Sequence, residues 1–409
     1  MKKRFSVAAI LGNLLEHYDT ALFGLLAPLL APVFFPKDDL VVSLIKTYSM
    51  LPLSFFAKFC GAYVFGRFGD MHNRNTALRL SLSGTALCTW TMGFLPTYSS
   101  WGMYASLLLL GMRLLQSFCA AGETAGGALI LLETRQRRGW LSSLFDASST
   151  LGGLLASVVI AYVGQKSLGD YCWRIPFWLG GLTATISLFL RMHSTPSVEK
   201  SNHNVSYTLL WKERHTLLRI SVMAGFSYLM YAFSFSFLGG YLPLISPLSF
   251  QEIIQANQSL FLFDILCLIG FGALSLRIQK PEIFMKWALR SAFLFGIPAF
   301  MLLHQSSWMM MLCVRMLFVL IGTSFAATFY AWALDQLNTT PYRQTLLALS
   351  LALGSQLIGA SIPAVALGLY RWTGWPIAPG LLLVAFTVYA YRILESPIPN
   401  KSALTLEEY

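Results

Sequence analysis

Three ionisable side chains crowd an apolar stretch near the start of the 409-residue chain, in Gly12-Asn13-Leu14-Leu15-Glu16-His17-Tyr18-Asp19. Phe5 to Leu11 precede them and Ala21 to Phe35 follow, both largely apolar. In a helix, positions three and four apart share a face. Asn13, Glu16 and either Asp19 or Thr20 then form one polar stripe. At 1.5 Å per residue, Glu16 lies roughly 14 Å into a hydrocarbon core about 30 Å thick. A carboxylate there costs at least ~2.5 kcal/mol and ordinarily faces a bundle interior, a cavity or a proton path. Glu16 and Asp19 are therefore candidates to load and release a proton. The plainer reading is that they pair with a buried Lys or Arg and hold helices together.

A second polar group recurs further on. Arg113 lies roughly 21 Å from the outer edge of its apolar segment. Its guanidinium is not readily neutralised, so it needs a carboxylate or an anionic ligand. Gln116, one turn later, offers a donor and an acceptor on the same face. An Arg fork holds a carboxylate bidentately, which makes Arg113 the candidate anchor of an anionic solute, with Asn13, Tyr18, Lys58 and Gln116 around it. A permanent Arg–carboxylate pair is the structural alternative. Asp264 is a further buried acid with no assigned partner. The segment with Phe226, Tyr228, Tyr231, Phe233, Phe235, Phe237 and Tyr241 has rings enough to cage a quaternary ammonium, although packing is the commoner role of such a stripe.

The elements that position these residues follow from composition. The chain is 56% hydrophobic and 11% charged, with mean hydropathy +0.61, whereas soluble domains carry about 25% charged residues. Apolar runs of membrane length recur throughout, at 6–34, 41–65, 76–96, 100–132, 141–165, 173–193, 215–245, 256–277, 283–303, 308–337, 344–370 and 373–394. The expected fold is an all-α membrane protein of about twelve transmembrane helices in two six-helix halves. Its parts are 1–193, a polar linker at 194–214, and 215–409 with a short tail. One constant shift lays Arg113 on Arg315 and Glu133 on Asp335; a slightly larger one lays Phe65-Gly66 on Phe271-Gly272 and Arg74 on Lys280. Such parallel repeats mark transporters built from two halves.

The net charge of +11 sets topology and does not imply nucleic acid. Basic residues cluster at Lys2 to Arg4, Arg67, Arg74, Arg135 to Arg138, the linker, Arg277, Lys280, Arg343 and Arg392, while the opposite loops offer little beyond Lys37, Lys166, Arg174 and Arg371. The positive-inside rule then places both termini in the cytoplasm. The six cysteines show no metal spacing and read as packing residues. The charged start is read as part of a retained first helix, because acids interrupt its apolar region. No phosphate-cradling Gly-rich loop with Lys-Ser/Thr occurs, so no nucleotide or other cofactor is expected.

Gly66-Arg67-Phe68-Gly69-Asp70-Met71-His72-Asn73-Arg74, between the second and third spans, resembles the signature loop of the major facilitator superfamily. Asn13, Glu16, Tyr18 and Asp19 in the first span, Lys58 three positions before Gly61, and Arg113, Gln116, Gly122, Glu123, Glu133, Arg138 and Gly139 around the fourth resemble the metabolite:proton symporter family. Proline/betaine, 2-oxoglutarate, citrate and shikimate transporters belong to that family. The loop departs from the pattern at Met71, where a basic residue is usual, and at Asn73-Arg74-Asn75, where Gly-Arg-Lys is usual. The resemblance implies proton-coupled symport of a small carboxylate-bearing solute by alternating access; Arg113 and Lys58 suit a carboxylate and the aromatic residues suit a betaine, so a zwitterionic osmolyte or amino acid stands ahead of a dicarboxylate. Gly66, Arg67, Gly69, Asp70, Arg74, Glu123, Glu133 and Arg138 would form the cytoplasmic gate. The expected partners are a solute, a proton and the lipid of a bacterial-type inner membrane, and the expected state is a monomer. An enzyme would need His or acids clustered at one interface, and the six histidines are scattered. A transporter-derived sensor would need the buried charges to be lost, and they are present.

Overall fold

The computed structural model describes residues 2–35, 40–68, 74–121, 128–129, 131–132, 137–165, 171–192, 213–278, 280–304, 307–338 and 343–396. Gly69, Asp70, Glu123, Glu133 and nearly all of the linker lie outside these residues, as do the side chains of Glu16, Arg67 and Arg74. A bilayer offers backbone groups no water, so a spanning chain must satisfy them within helices or closed barrels. The described residues contain no strand and are about 91% helical. Nine of their helices are long and apolar enough to cross a membrane.

We number the long helices α1 (Lys2–Phe34), α2 (Leu40–Phe68), α3 (Arg74–Met92), α4 (Met103–Ala120), α5 (Arg138–Gln165) and α6 (Arg174–Met192). In the second part they are α7 (Arg214–Ile245), α8 (Phe250–Ser275), α9 (Pro281–Leu303), α10 (Trp308–Gln336), α11 (343–373) and α12 (Ala378–Glu395). Local chemistry sets several of their ends. The Ser249 side chain accepts the Glu252 backbone N–H while Glu252 reaches back to the Ser249 N–H. This reciprocal cap starts α8 at Phe250, six residues before the position that hydropathy indicates. Gly374, with φ +70°, ends α11 in the left-handed region open to glycine. The last helix therefore begins at Ala378 and not near 373.

Two helices break α geometry. Helix α7 passes through a π-helical turn at Ala232–Ser236, and α11 through one at Leu353–Ile358 followed by a 3₁₀ turn at Gly359–Ser361. A π-turn disturbs the i to i−4 ladder and leaves carbonyls in need of donors. In α7 three successive carbonyls find them in side chains. Ser234 accepts Arg315 Nε at 3.0 Å and Nη2 at 2.7 Å. Phe235 accepts Asn257 Nδ2 at 3.3 Å, and Ser236 accepts the Tyr48 hydroxyl at 3.1 Å. Arg315, fully buried, also bonds Ile253 O and the Asn257 side chain. The residue that aligns with Arg113 thus staples α7 to α8 and α10.

Glycines allow close helix approach at several crossings, two of them along α5. A Cβ at Gly152 would collide with the backbone carbonyl of Leu14, and one at Gly272 with Ser143 Oγ. The first seats α5 against α1 and the second seats α8 against α5, the small-residue packing typical of membrane bundles. The outward face is apolar: Phe56, Leu87, Tyr104, Leu266 and Trp372 are exposed. In water such a surface would drive aggregation; against lipid it costs nothing.

Candidate functional site

Between the halves lies a cavity of about 160 Å³, lined from α1, α4, α5, α7, α8, α10 and α11. At about 30 Å³ per water, it has room for about five water molecules, enough for a small solute. Helical geometry decides which α1 residues reach it. At 100° per residue, His17, Ala21 and Gly24 share a face, and these three line the cavity. Asn13 lies beside that face and Asp19 roughly 120° round from Asn13, so the two diverge.

Asp19 points toward α3 and α4, where a polar chain begins. Its Oδ2 accepts Gln116 Nε2 at 2.5 Å and its carboxylate accepts the Thr89 hydroxyl at 3.0 to 3.2 Å. Gln116 Nε2 also donates to Thr89 Oγ1 at 2.8 Å, and Gln116 Oε1 accepts Arg113 Nη1 at 2.5 Å. Gln116 therefore stands between the two charges. Arg113 is 5% exposed, stacks 4.8 Å from the Phe23 ring centroid and lines the cavity. Of its five N–H donors, only that on Nη1 to Gln116 has a partner among the described residues, and Nε is buried without one. A guanidinium so placed lacks an acceptor, and a carboxylate supplies two.

The other sequence candidates fall elsewhere. Asn13 Nδ2 faces the Phe145 carbonyl at 2.9 Å, Ser148 Oγ at 2.8 Å and Ser149 Oγ at 2.7 Å, fastening α1 to α5. Tyr18 is buried and donates to the Pro176 carbonyl at 3.3 Å, fastening α1 to α6. Lys58 is half-buried on α2 and does not line the cavity.

The cavity also holds two acids. Asp264 of α8 is buried and accepts the Thr150 hydroxyl of α5 at 2.6 Å. Asp146, one turn before Thr150, lines the same wall. Asp146 and His17 were not singled out by sequence reasoning for the cavity. A lone acid inside an apolar span was the available signal for Asp146.

At the end of the bundle that carries the basic loops, Arg138 Nη1 pairs with Asp335 Oδ1 at 2.6 Å, joining the start of α5 to the end of α10. Sequence reasoning grouped Arg138 with Asp70 and Glu133; the partner found is the residue that aligns with Glu133. At the opposite end, Gly240 sits against Tyr48 and Leu44, bringing α7 onto α2.

The helical bundle and the cavity between its halves are those of a membrane transporter. The family model of the Major Facilitator Superfamily matches residues 9–341, and the chain belongs to that superfamily. It is 26% identical to a putative proline/betaine transporter of Staphylococcus aureus (strain COL), over 96% of this chain and 87% of that one. It is also 26% identical to the citrate-proton symporter of Klebsiella pneumoniae, over 93% and 90%. Among solved structures, the xylose transporter XylE from E. coli in a partially occluded inward-open conformation superposes with TM-score 0.70 at 15% identity, covering 98% of each chain. These matches establish an integral membrane transporter with the major facilitator fold of two six-helix halves.

Proposed function

We propose that the protein is a proton-coupled symporter that carries a small carboxylate-bearing solute of the proline or betaine type. The observation that carries this reading is Arg113: buried, facing the cavity, with one donor engaged and Nε without a partner. The solute's carboxylate takes the open side of the guanidinium. Asp19, joined to Arg113 through Gln116, carries the proton together with Glu16. When Asp19 is ionised it draws on Arg113 through that bridge. When it is protonated, Arg113 is freed to bind the solute, so proton and solute load together.

Units 1–193 and 215–409, joined by 194–214, rock around the cavity to open it on either side. Arg138–Asp335 helps close the end with the basic loops, which the positive-inside rule places in the cytoplasm with both termini, in a bacterial-type inner membrane. The protein works as a monomer. The Klebsiella relative's name favours a second reading, an organic-acid symporter.

Uptake of labelled proline, glycine betaine and citrate into proteoliposomes, with and without a pH gradient, tests the proposal. Acid-outside conditions are expected to drive accumulation of proline or glycine betaine. Accumulation indifferent to the pH gradient would remove proton coupling, and no uptake of any solute would remove the reading itself.

A further inference from the structure

We propose that Asp264 and Asp146 form the cation-binding pole of the cavity, so that the transporter selects zwitterions, holding their carboxylate at Arg113 and their ammonium group between helices α5 and α8. The proposal rests on the transport reading above and adds the residues that recognise the solute's positive end.

The two acids come from opposite halves and line one cavity with Arg113. Asp264 is 8% exposed, and the one hydrogen bond its carboxylate accepts from the described residues is that of Thr150, on Oδ2. The Asp146 carboxylate accepts none and meets no cation among the described residues; Thr150 bonds only its backbone carbonyl, at 3.3 Å. Arg315 and Asn257, buried nearby, are engaged with the π-turn. A buried carboxylate without a cation is costly unless a ligand supplies the charge.

The balance of charge points the same way. Two carboxylates, one guanidinium and the His17 imidazole face the cavity, so a solute bearing only carboxylates would gain at Arg113 and be repelled by the two acids. A zwitterion is attracted at both. Tyr231 and Phe235 line the same region, and aromatic faces hold alkylated ammonium groups without a hydrogen-bond donor. A secondary ammonium, as in proline, can instead donate to Asp264 Oδ1. Because Asp264 and Thr150 join α8 to α5, a cation seated there touches both halves at once.

The test uses purified protein in proteoliposomes and four probes: proline, glycine betaine, choline, which has the cation alone, and succinate, which has carboxylates alone. The wild type is expected to bind and take up proline or glycine betaine, and to bind succinate at least tenfold more weakly. Asp264→Asn should weaken binding of the zwitterion at least tenfold and narrow its preference over succinate, while Asp264→Glu should restore part of it. Asp146→Asn, at a carboxylate that accepts no hydrogen bond among the described residues, gives the same readout if the first variant fails to fold. Unchanged zwitterion affinity in Asp146→Asn and Asp264→Asn overturns the cation pole. So does wild-type transport of succinate in preference to both zwitterions, which would leave carboxylate transport standing. Absence of transport and binding for all four probes overturns both readings.

Discussion

At the scale of single residues, Arg113 and Gln116 act as a unit, because the glutamine amide connects a buried cation with a buried acid. Lys cannot present the planar fork that a carboxylate meets with two bonds. Arg113→Lys should therefore weaken solute binding by about 1–3 kcal/mol, roughly ten- to a hundredfold, with the protein still inserted. Titration of the purified variant with proline or glycine betaine checks this; near-native affinity would leave Arg113 a structural residue. Gln116→Leu should impair coupling more than binding, seen as uptake that persists as exchange but no longer concentrates solute. Arg113 and Gln116 were legible as candidates because an arginine in mid-span has few uses. Asn13 and Tyr18 were not separable from Asp19 in the same way: spacing puts them on one helix, and only the identity of the neighbouring helices shows that they fasten α1 to α5 and α6.

At the scale of elements, the π-turn of α7 explains why a second buried arginine exists. Repeat alignment places Arg315 opposite Arg113, yet it is engaged by carbonyls and by Asn257 and does not reach the cavity. The sequence has no strong local mark of a π-turn, since Ala232-Phe233-Ser234-Phe235-Ser236 would continue an α-helix equally well. Arg315→Met should leave the Ser234 carbonyl short of donors and cost about 1–3 kcal/mol of stability, read as a lower midpoint of thermal unfolding in detergent. Solute preference should change far less than in Arg113→Lys. The Arg138–Asp335 pair belongs to this scale as well. Asp335 is 45% exposed, so the pair is worth no more than about 1 kcal/mol. Arg138→Ala should accordingly shift the balance of open states several-fold and not completely. Labelling rates of single cysteines placed at the two mouths report the shift, and the exchanged pair Arg138→Asp with Asp335→Arg should restore part of it.

At the scale of the whole molecule, a bundle of membrane helices in two halves was readable from hydropathy and internal repeat, because a bilayer permits so few ways to satisfy a backbone, while the major facilitator family was readable through resemblance at the loop after the second span and around Arg113. Helix ends were less readable: hydropathy starts α8 at 256, whereas the Ser249–Glu252 cap starts it at Phe250. The placing of the cavity was not readable, since it depends on which face of each helix turns inward. The proposed chain of cause runs from that cavity to transport: solute at Arg113, Gln116 as bridge, proton at Asp19. Its most direct test is Asp19→Asn in proteoliposomes, measuring labelled proline or glycine betaine both as exchange without a gradient and as accumulation under an acid-outside gradient. Exchange is expected to survive while accumulation disappears. Accumulation equal to that of the unaltered protein would contradict it.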